Sequence, residues 1–146
     1  MKEVVIYTDG SCEGNPGPGG YAAIVDIAGE REEITGGEPQ TTNNRMEMMA
    51  IVEGLKAVRE PSRIRVVTDS QYVVNGMKSW IHGWRRRGWK TAAGAPVKNK
   101  DLWERLSTLA QGHKVSWEWV KGHAGHPENE RADTLAKEAI REAMED

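Results

Sequence analysis

The chain has 146 residues, 38% of them hydrophobic, with 20 lysines and arginines against 22 aspartates and glutamates for a formal net charge of −2. That is enough apolar material for one domain with its own core, and it excludes a surface that is basic overall. Cys12 is the one cysteine, so neither an internal disulfide nor a Cys-x-x-Cys site can form.

The apolar start at residues 4–7 is too short for a secretory or membrane-spanning segment, and a cytoplasmic location is expected. Residues 4–9 read as a strand with apolar side chains on both faces, and the glycine- and proline-rich stretch 14–20 reads as a turn. A second strand is expected at 21–27 and a weaker third at 32–35. Helical spacing covers 44–58, a strand 63–69, a short helix 71–77, a helix 100–109, a strand 115–120 and a last helix 128–144, with Pro127 near its first position. Early hairpins followed by alternating strands and helices predict a mixed sheet, antiparallel first and parallel later, with helices packed on it. Trp103, Trp117 and Trp119 read as core residues.

One short near-repeat stands out. Ile6-Tyr7-Thr8-Asp9 and Val66-Val67-Thr68-Asp69 both place an aspartate at the carboxyl end of a strand. If the strands are parallel neighbours, about 4.8 Å apart, the two ends coincide, and ligands of open α/β sheets bind beyond such ends. Taken singly, Asp9 could start a turn and Asp69 could cap the following helix.

Glu47 extends the stripe Ala50, Ile51, Gly54, Leu55 and Val58 backward by one turn, so it points inward. Its alternative role is as partner of an Asn44 N-cap in a capping box. Asp133 borders the stripe Ala132, Leu135, Ala136, Ala139, Ile140 and Ala143, where by itself it would favour the helix dipole. Burying ionised carboxylates costs several kcal/mol or more unless they are paired or bind metal. Clustered, they also repel one another, and a hard divalent cation relieves that repulsion. Oxygen-only donors favour Mg2+ or Mn2+, ions that assist phosphodiester hydrolysis. An EF-hand is excluded, because Gly20 stands where the closing glutamate belongs, and the glycine loop lacks the lysine and hydroxyl of a P-loop.

Charge is unevenly spread. Residues 75–100 contain no acid but carry Lys78, Arg85, Arg86, Arg87, Lys90, Lys98 and Lys100, whereas the chain from Glu128 onward is acid-rich. Local charge of this kind suits a polyanionic partner.

Four segments together carry a family resemblance: Thr8-Asp9-Gly10-Ser11-Cys12 with Gly14-Asn15-Pro16-Gly17-Pro18-Gly19-Gly20; Thr41-Thr42-Asn43-Asn44-Arg45-Met46-Glu47; Thr68-Asp69-Ser70-Gln71-Tyr72; and the run from Trp119-Val120-Lys121-Gly122-His123 through His126-Pro127-Glu128-Asn129 to Asp133. Their sequence and order resemble bacterial type 1 ribonuclease H. The resemblance implies a ribonuclease H-like α/β fold, a five-stranded mixed sheet flanked by helices, in a single domain over residues 1–146. It implies a Mg2+-dependent endonuclease, with Mn2+ as a substitute, that cuts the RNA strand of RNA/DNA hybrids and leaves 3'-hydroxyl and 5'-phosphate ends. Asp9, Glu47, Asp69 and Asp133 become its metal-binding carboxylates, and His123 a loop histidine that moves a proton or helps product leave.

Cys12, Asn15, Asn43 and Gln71 match minor-groove positions facing mainly the RNA strand, and Thr42 and Asn44 positions facing the DNA strand. Residues 78–98 match a basic handle, with Arg85, Arg86, Arg87 and Lys90 on DNA phosphates and Trp80 on its sugars; Trp84 and Trp89 could instead staple the arm to the body. A stand-alone monomer without an obligate protein partner is expected. The alternatives are a noncatalytic nucleic-acid-binding module, which the acid cluster disfavours, and a DNA-only recombinase or resolvase of the same fold, which the hydroxyl-reading residues disfavour.

Overall fold

A computed structural model of the chain describes residues 1–122 and 125–145. Strands β1 (Lys2–Cys12), β2 (Gly17–Ile27) and β3 (Glu30–Thr41) form an antiparallel meander. Strands β4 (Ser62–Thr68) and β5 (Lys114–Trp119) add to its other side in parallel, giving the order β3-β2-β1-β4-β5. This is the expected five-stranded mixed sheet.

Two-residue alternation sends side chains to the two faces. Val4 and Ile6 of β1, Ala23 and Val25 of β2 and Ile64 and Val66 of β4 enter the main core. That core is closed by α1 (Asn43–Lys56), the run containing α2 (Gln71–Asn75) and α3 (Ile81–Arg86), and α4 (Lys100–Gln111). Ala22 and Ile24 face the other way, against Ala132, Leu135 and Ala136 of α5 (Pro127–Glu145), with Tyr7 alongside. A fully buried Leu or Ile contributes about 1.5–3 kcal/mol by leaving water, and Ile6, Ile24, Ile51, Leu55, Leu102 and Leu106 are all buried this way.

Several differences from the sequence expectations have physical causes. Strand β2 begins at Gly17, within the expected turn. The glycine at position 20 serves packing, since a side chain there would run into the α5 backbone at Ala136 and Ile140. Strand β3 is much longer than 32–35, because β2 supplies a ladder partner from Glu30 to Thr41 while charged edge residues such as Glu30, Arg31, Glu32 and Glu33 hide the strand pattern. The short helix expected at 71–77 continues through a π-helical turn, Gly76–Trp80, into α3. Gly76 lies there against the Trp103 ring, which leaves no room for a side chain.

The N-cap of α1 is Thr42, whose Oγ1 accepts from the Arg45 N–H at 3.3 Å, so the Asn44 capping box does not form. Asp69 likewise leaves capping to Ser70, whose hydroxyl accepts from the Val73 N–H at 3.2 Å. Of the expected core tryptophans, Trp103 is fully buried and Trp117 half-buried, but Trp119 is 43% exposed. Trp119 is the last residue of the edge strand β5, and unlike Trp117 it does not pack on the main core.

Candidate active site

The near-repeat becomes geometry in the β1–β4 pairing, where Ile6 lies opposite Val66 and Tyr7 opposite Val67. Asp9 and Asp69, two residues further on, therefore stand side by side just past the end of the parallel ladder. Asp69 lies beyond the last residue of β4 and Asp9 within β1, which runs on to Cys12 paired with β2 instead of ending at residue 9 as expected. Glu47 reaches them from the first turns of α1. Ligand oxygens of Asp9, Glu47 and Asp69 all lie within 4.8 Å of one another.

Gly10 makes that approach possible: any side chain there would collide with the backbone of Met46 and Glu47. Its N–H instead donates to Glu47 Oε1 at 2.8 Å, and the Thr68 hydroxyl donates to Oε2 at 3.5 Å. Glu47 is thus turned toward the strand ends. Asp133, in the second turn of α5, comes close enough to Asp9 to hydrogen-bond with it and to act on it by charge. The same Asp133 is paired with Lys137 Nζ at 3.1 Å, one turn along the helix.

Burial and like charge dominate the electrostatics. The Asp9 carboxyl is pushed up to about 8, first by burial, then by the charge of Asp69 and by the hydrogen bond and charge of Asp133. Glu47 is raised well above the ordinary glutamate range, again by burial first and then by Asp9 and Asp69. Uncompensated, such a cluster holds protons at neutral pH. A divalent cation removes the reason for holding them, and the donor set is carboxylate oxygen throughout, which suits a hard ion.

One buried polar side chain at the site is not among the expected site residues. Asn129, only 4% exposed, inserts its amide between the strand ends and donates Nδ2–H to the carbonyls of Thr8 at 3.4 Å and Val67 at 3.2 Å. Among the described residues its Oδ1 finds no partner, and neither does the buried Thr8 hydroxyl. Asn129 bridges the two strands one and two residues before their aspartates. The signal was available: Asn129 continues the Ala132 and Ala136 stripe backward, the same extension that singles out Glu47.

The expected minor-groove residues gather at the same end of the sheet. Cys12 Sγ sits among three carbonyl oxygens, those of Gly14 at 3.1 Å, Gly17 at 3.3 Å and Thr41 at 3.4 Å. Asn15 Oδ1 accepts from the Asn43 N–H at 3.0 Å and ties the glycine loop to the start of α1, where Asn43 and Asn44 are exposed beside the cap Thr42. Gln71 is exposed at the start of α2, two residues after Asp69.

The basic arm is a separate region. Trp80 is 42% exposed and packs edge-on against Tyr72 at 5.9 Å, while Trp84 lies 5.1 Å from Trp103 and, with Trp89, packs on the main core. Arg85, though exposed, reaches back to α4 and donates to the Ser107 hydroxyl through Nε and Nη2. Arg86, Arg87 and Lys90 are exposed, with Arg87 Nε donating to the Lys90 carbonyl at 3.3 Å. The expected site residue His123 lies outside the described residues.

The chain is similar to known proteins along nearly its whole length. The RNase H family model matches residues 1–141. A ribonuclease H of Neisseria meningitidis is 60% identical over 133 residues, covering 91% of this chain and 92% of that protein. One from Thiobacillus denitrificans is 55% identical over 142 residues, covering 97% and 96%. The crystal structure of LC9-RNase H1, a type 1 RNase H with the type 2 active-site motif, superposes with a TM-score of 0.88 at 39% identity, covering 98% of this chain and 74% of that one.

Proposed function

Because the chain belongs to the ribonuclease H family, we propose that it is an endonuclease hydrolysing the RNA strand of RNA/DNA hybrids, within a single domain over residues 1–146. The observation that carries this reading is the convergence of Asp9, Glu47 and Asp69 where the parallel ladder of β1 and β4 ends, with Asp133 against Asp9. A protein that only gripped a duplex would have no need of acids buried together at that cost.

These four carboxylates would hold Mg2+, with Mn2+ able to replace it. The bound ion would polarise the phosphodiester and stabilise charge on its oxygens. The residues of the chain do the rest. Gly10 and Thr68 keep both oxygens of Glu47 aimed at the strand ends, and Asn129 keeps those ends together. His123 would move a proton or help product depart, and cleavage would leave 3'-hydroxyl and 5'-phosphate ends.

Hybrid selection needs 2'-hydroxyls on one strand and their absence on the other. We assign the first to Cys12, Asn15, Asn43 and Gln71 and the second to Thr42 and Asn44. Arg86, Arg87 and Lys90 would hold DNA-strand phosphates and Trp80 the sugars; Arg85 would exchange its Ser107 bond to join them. No helix among the described residues is long and apolar enough to cross a membrane, and we place the enzyme in the cytoplasm as a monomer.

The test is parallel incubation with end-labelled RNA/DNA hybrid, duplex RNA and duplex DNA in Mg2+, with Asp69→Asn as the control for contaminating nuclease. The expected outcome is cleavage of the hybrid's RNA strand alone, abolished by the substitution and by chelator. Cutting of duplex DNA, or binding without cutting in either ion, would sink the assignment.

A further inference from the structure

Trp119 is an exposed tryptophan with a fixed polar contact. It ends β5 directly across the ladder from Thr68. Although its ring is 43% exposed, its indole Nε1–H donates to the backbone carbonyl of Asp69 at 3.1 Å. The next residue makes the corresponding contact one step back, Val120 N–H donating to the Thr68 carbonyl at 2.9 Å.

Asp69 stands between the end of β4 and Ser70, the N-cap of α2, where strand pairing has stopped and helical bonding has not started. A peptide in such a place has neither ladder nor helix to orient it. Here the carbonyl of the Asp69–Ser70 peptide is held by the Trp119 indole, and its N–H is held by the Thr68 hydroxyl at 3.1 Å. Both polar groups of one peptide plane are therefore fixed by side chains, and the same Thr68 hydroxyl reaches Glu47. The chain leaving β5 also passes over the acid itself, since a Cβ on Gly122 would stand 3.4 Å from Asp69 Oδ2.

From this geometry we infer that Trp119 is a positioning residue: its indole N–H locks the Asp69–Ser70 peptide and so sets the Asp69 carboxylate for cation binding. The inference rests on the reading of the acid cluster as a divalent-cation site. A half-exposed ring gains little from burial compared with a core tryptophan, so its hydrogen bond is the contact that distinguishes it from other large apolar residues. Ligand groups must be held to within about 0.5 Å for productive geometry, and outer partners of ligating side chains supply that restraint.

Trp119→Phe keeps an aromatic ring and removes the donor, and Trp119→His keeps a ring N–H. Calorimetric titration of Mn2+ into the nucleic-acid-free proteins should show the Phe variant binding roughly threefold to tenfold more weakly, at or below the roughly tenfold to hundredfold typical for losing an outer partner because this bond is open to water. The His variant should fall between the two. The Mg2+ needed for half-maximal cleavage should rise in parallel, with KM for the hybrid at saturating Mg2+ unchanged. In the wild-type protein, Mg2+ should shift the NMR resonance of the Trp119 indole N–H, a readout that needs no variant to fold. Wild-type Mn2+ affinity in a folded Phe variant, equal losses in Phe and His, or an indole resonance unmoved by Mg2+ would each overturn the inference. Wild-type protein that bound no Mn2+ at all would instead overturn the cation site on which it rests.

Discussion

The acid end of the sheet and the basic arm show opposite designs within one chain. At the acid end, side chains far apart in sequence are locked together: Gly10 to Glu47, Asn129 to Thr8 and Val67, Trp119 to Asp69. The arm is held by Trp84 and Trp89 on the core and by the Arg85 bond to Ser107, while its cations Arg85, Arg86, Arg87 and Lys90 are all exposed. The difference follows from what each has to hold. Like charges brought together against desolvation need a rigid frame, whereas a phosphate backbone can be met by long side chains that adjust in water.

The largest expected effect is at the acid end. Asp9→Asn should lower kcat by at least a hundredfold, more than the loss of an outer partner would cost, while leaving the metal-free protein as stable as before or more so. Activity and thermal melting measured on one preparation separate the two effects. A variant that unfolded at room temperature would make Asp9 a structural residue and erase the contrast with the arm.

The same carboxyl gives a pH dependence of defined sign. Its folded value, about 8, lies above the ordinary aspartate value of 3.8, so between these limits the native state binds the extra proton. Stability from this group is therefore full below about pH 4 and is lost as pH rises toward 8. Chemical denaturation of metal-free protein across that range should show the decline, flattened in Asp9→Asn and opposed by added Mg2+. A flat wild-type profile would mean the acids are less tightly coupled than their burial implies.

Asn129→Ala comes next in size. It leaves the Thr8 and Val67 carbonyls without their shared donor, a loss of about 1–3 kcal/mol for buried polar groups. Thermal melting should drop by several degrees, and kcat should fall as the strand ends lose their bridge. A drop in melting temperature without any change in kcat would confine Asn129 to the fold.

How much of this was readable beforehand differs between the regions for the same physical reason. The strand ends were legible because the Ile6 and Val66 segments share one pattern and pair in register. Glu47 was legible because an acid on an apolar stripe is conspicuous. Asn129 lies on such a stripe too, but a neutral amide between Glu128 and Glu130 looks like ordinary helix surface. Trp119 reads as core because alternation gives it the same side as Trp117, but alternation does not show that β5 is an edge strand that ends there. In the arm, net charge was legible and side-chain direction was not, so Arg85 was grouped with Arg86 and Arg87 although its guanidinium faces Ser107.

The smallest effect belongs to the arm. Replacing Arg86, Arg87 and Lys90 together with alanine removes three exposed cations and one exposed hydrogen bond, from Arg87 Nε to the Lys90 carbonyl, so melting temperature should fall by no more than a few degrees. If each meets a phosphate, the slope of log affinity against log salt should become shallower by roughly 0.9 per lost contact. KM for the hybrid should rise at moderate salt and kcat should hold, because none of the three touches the acid cluster. Arg85→Ala supplies the internal control. It removes a similar charge from the same segment but also the brace to Ser107, so it should lower melting temperature as well as weaken binding. If all four substitutions behaved alike, with affinity and stability falling together, the arm would be a framed element like the acid end, and its cations would act through the fold.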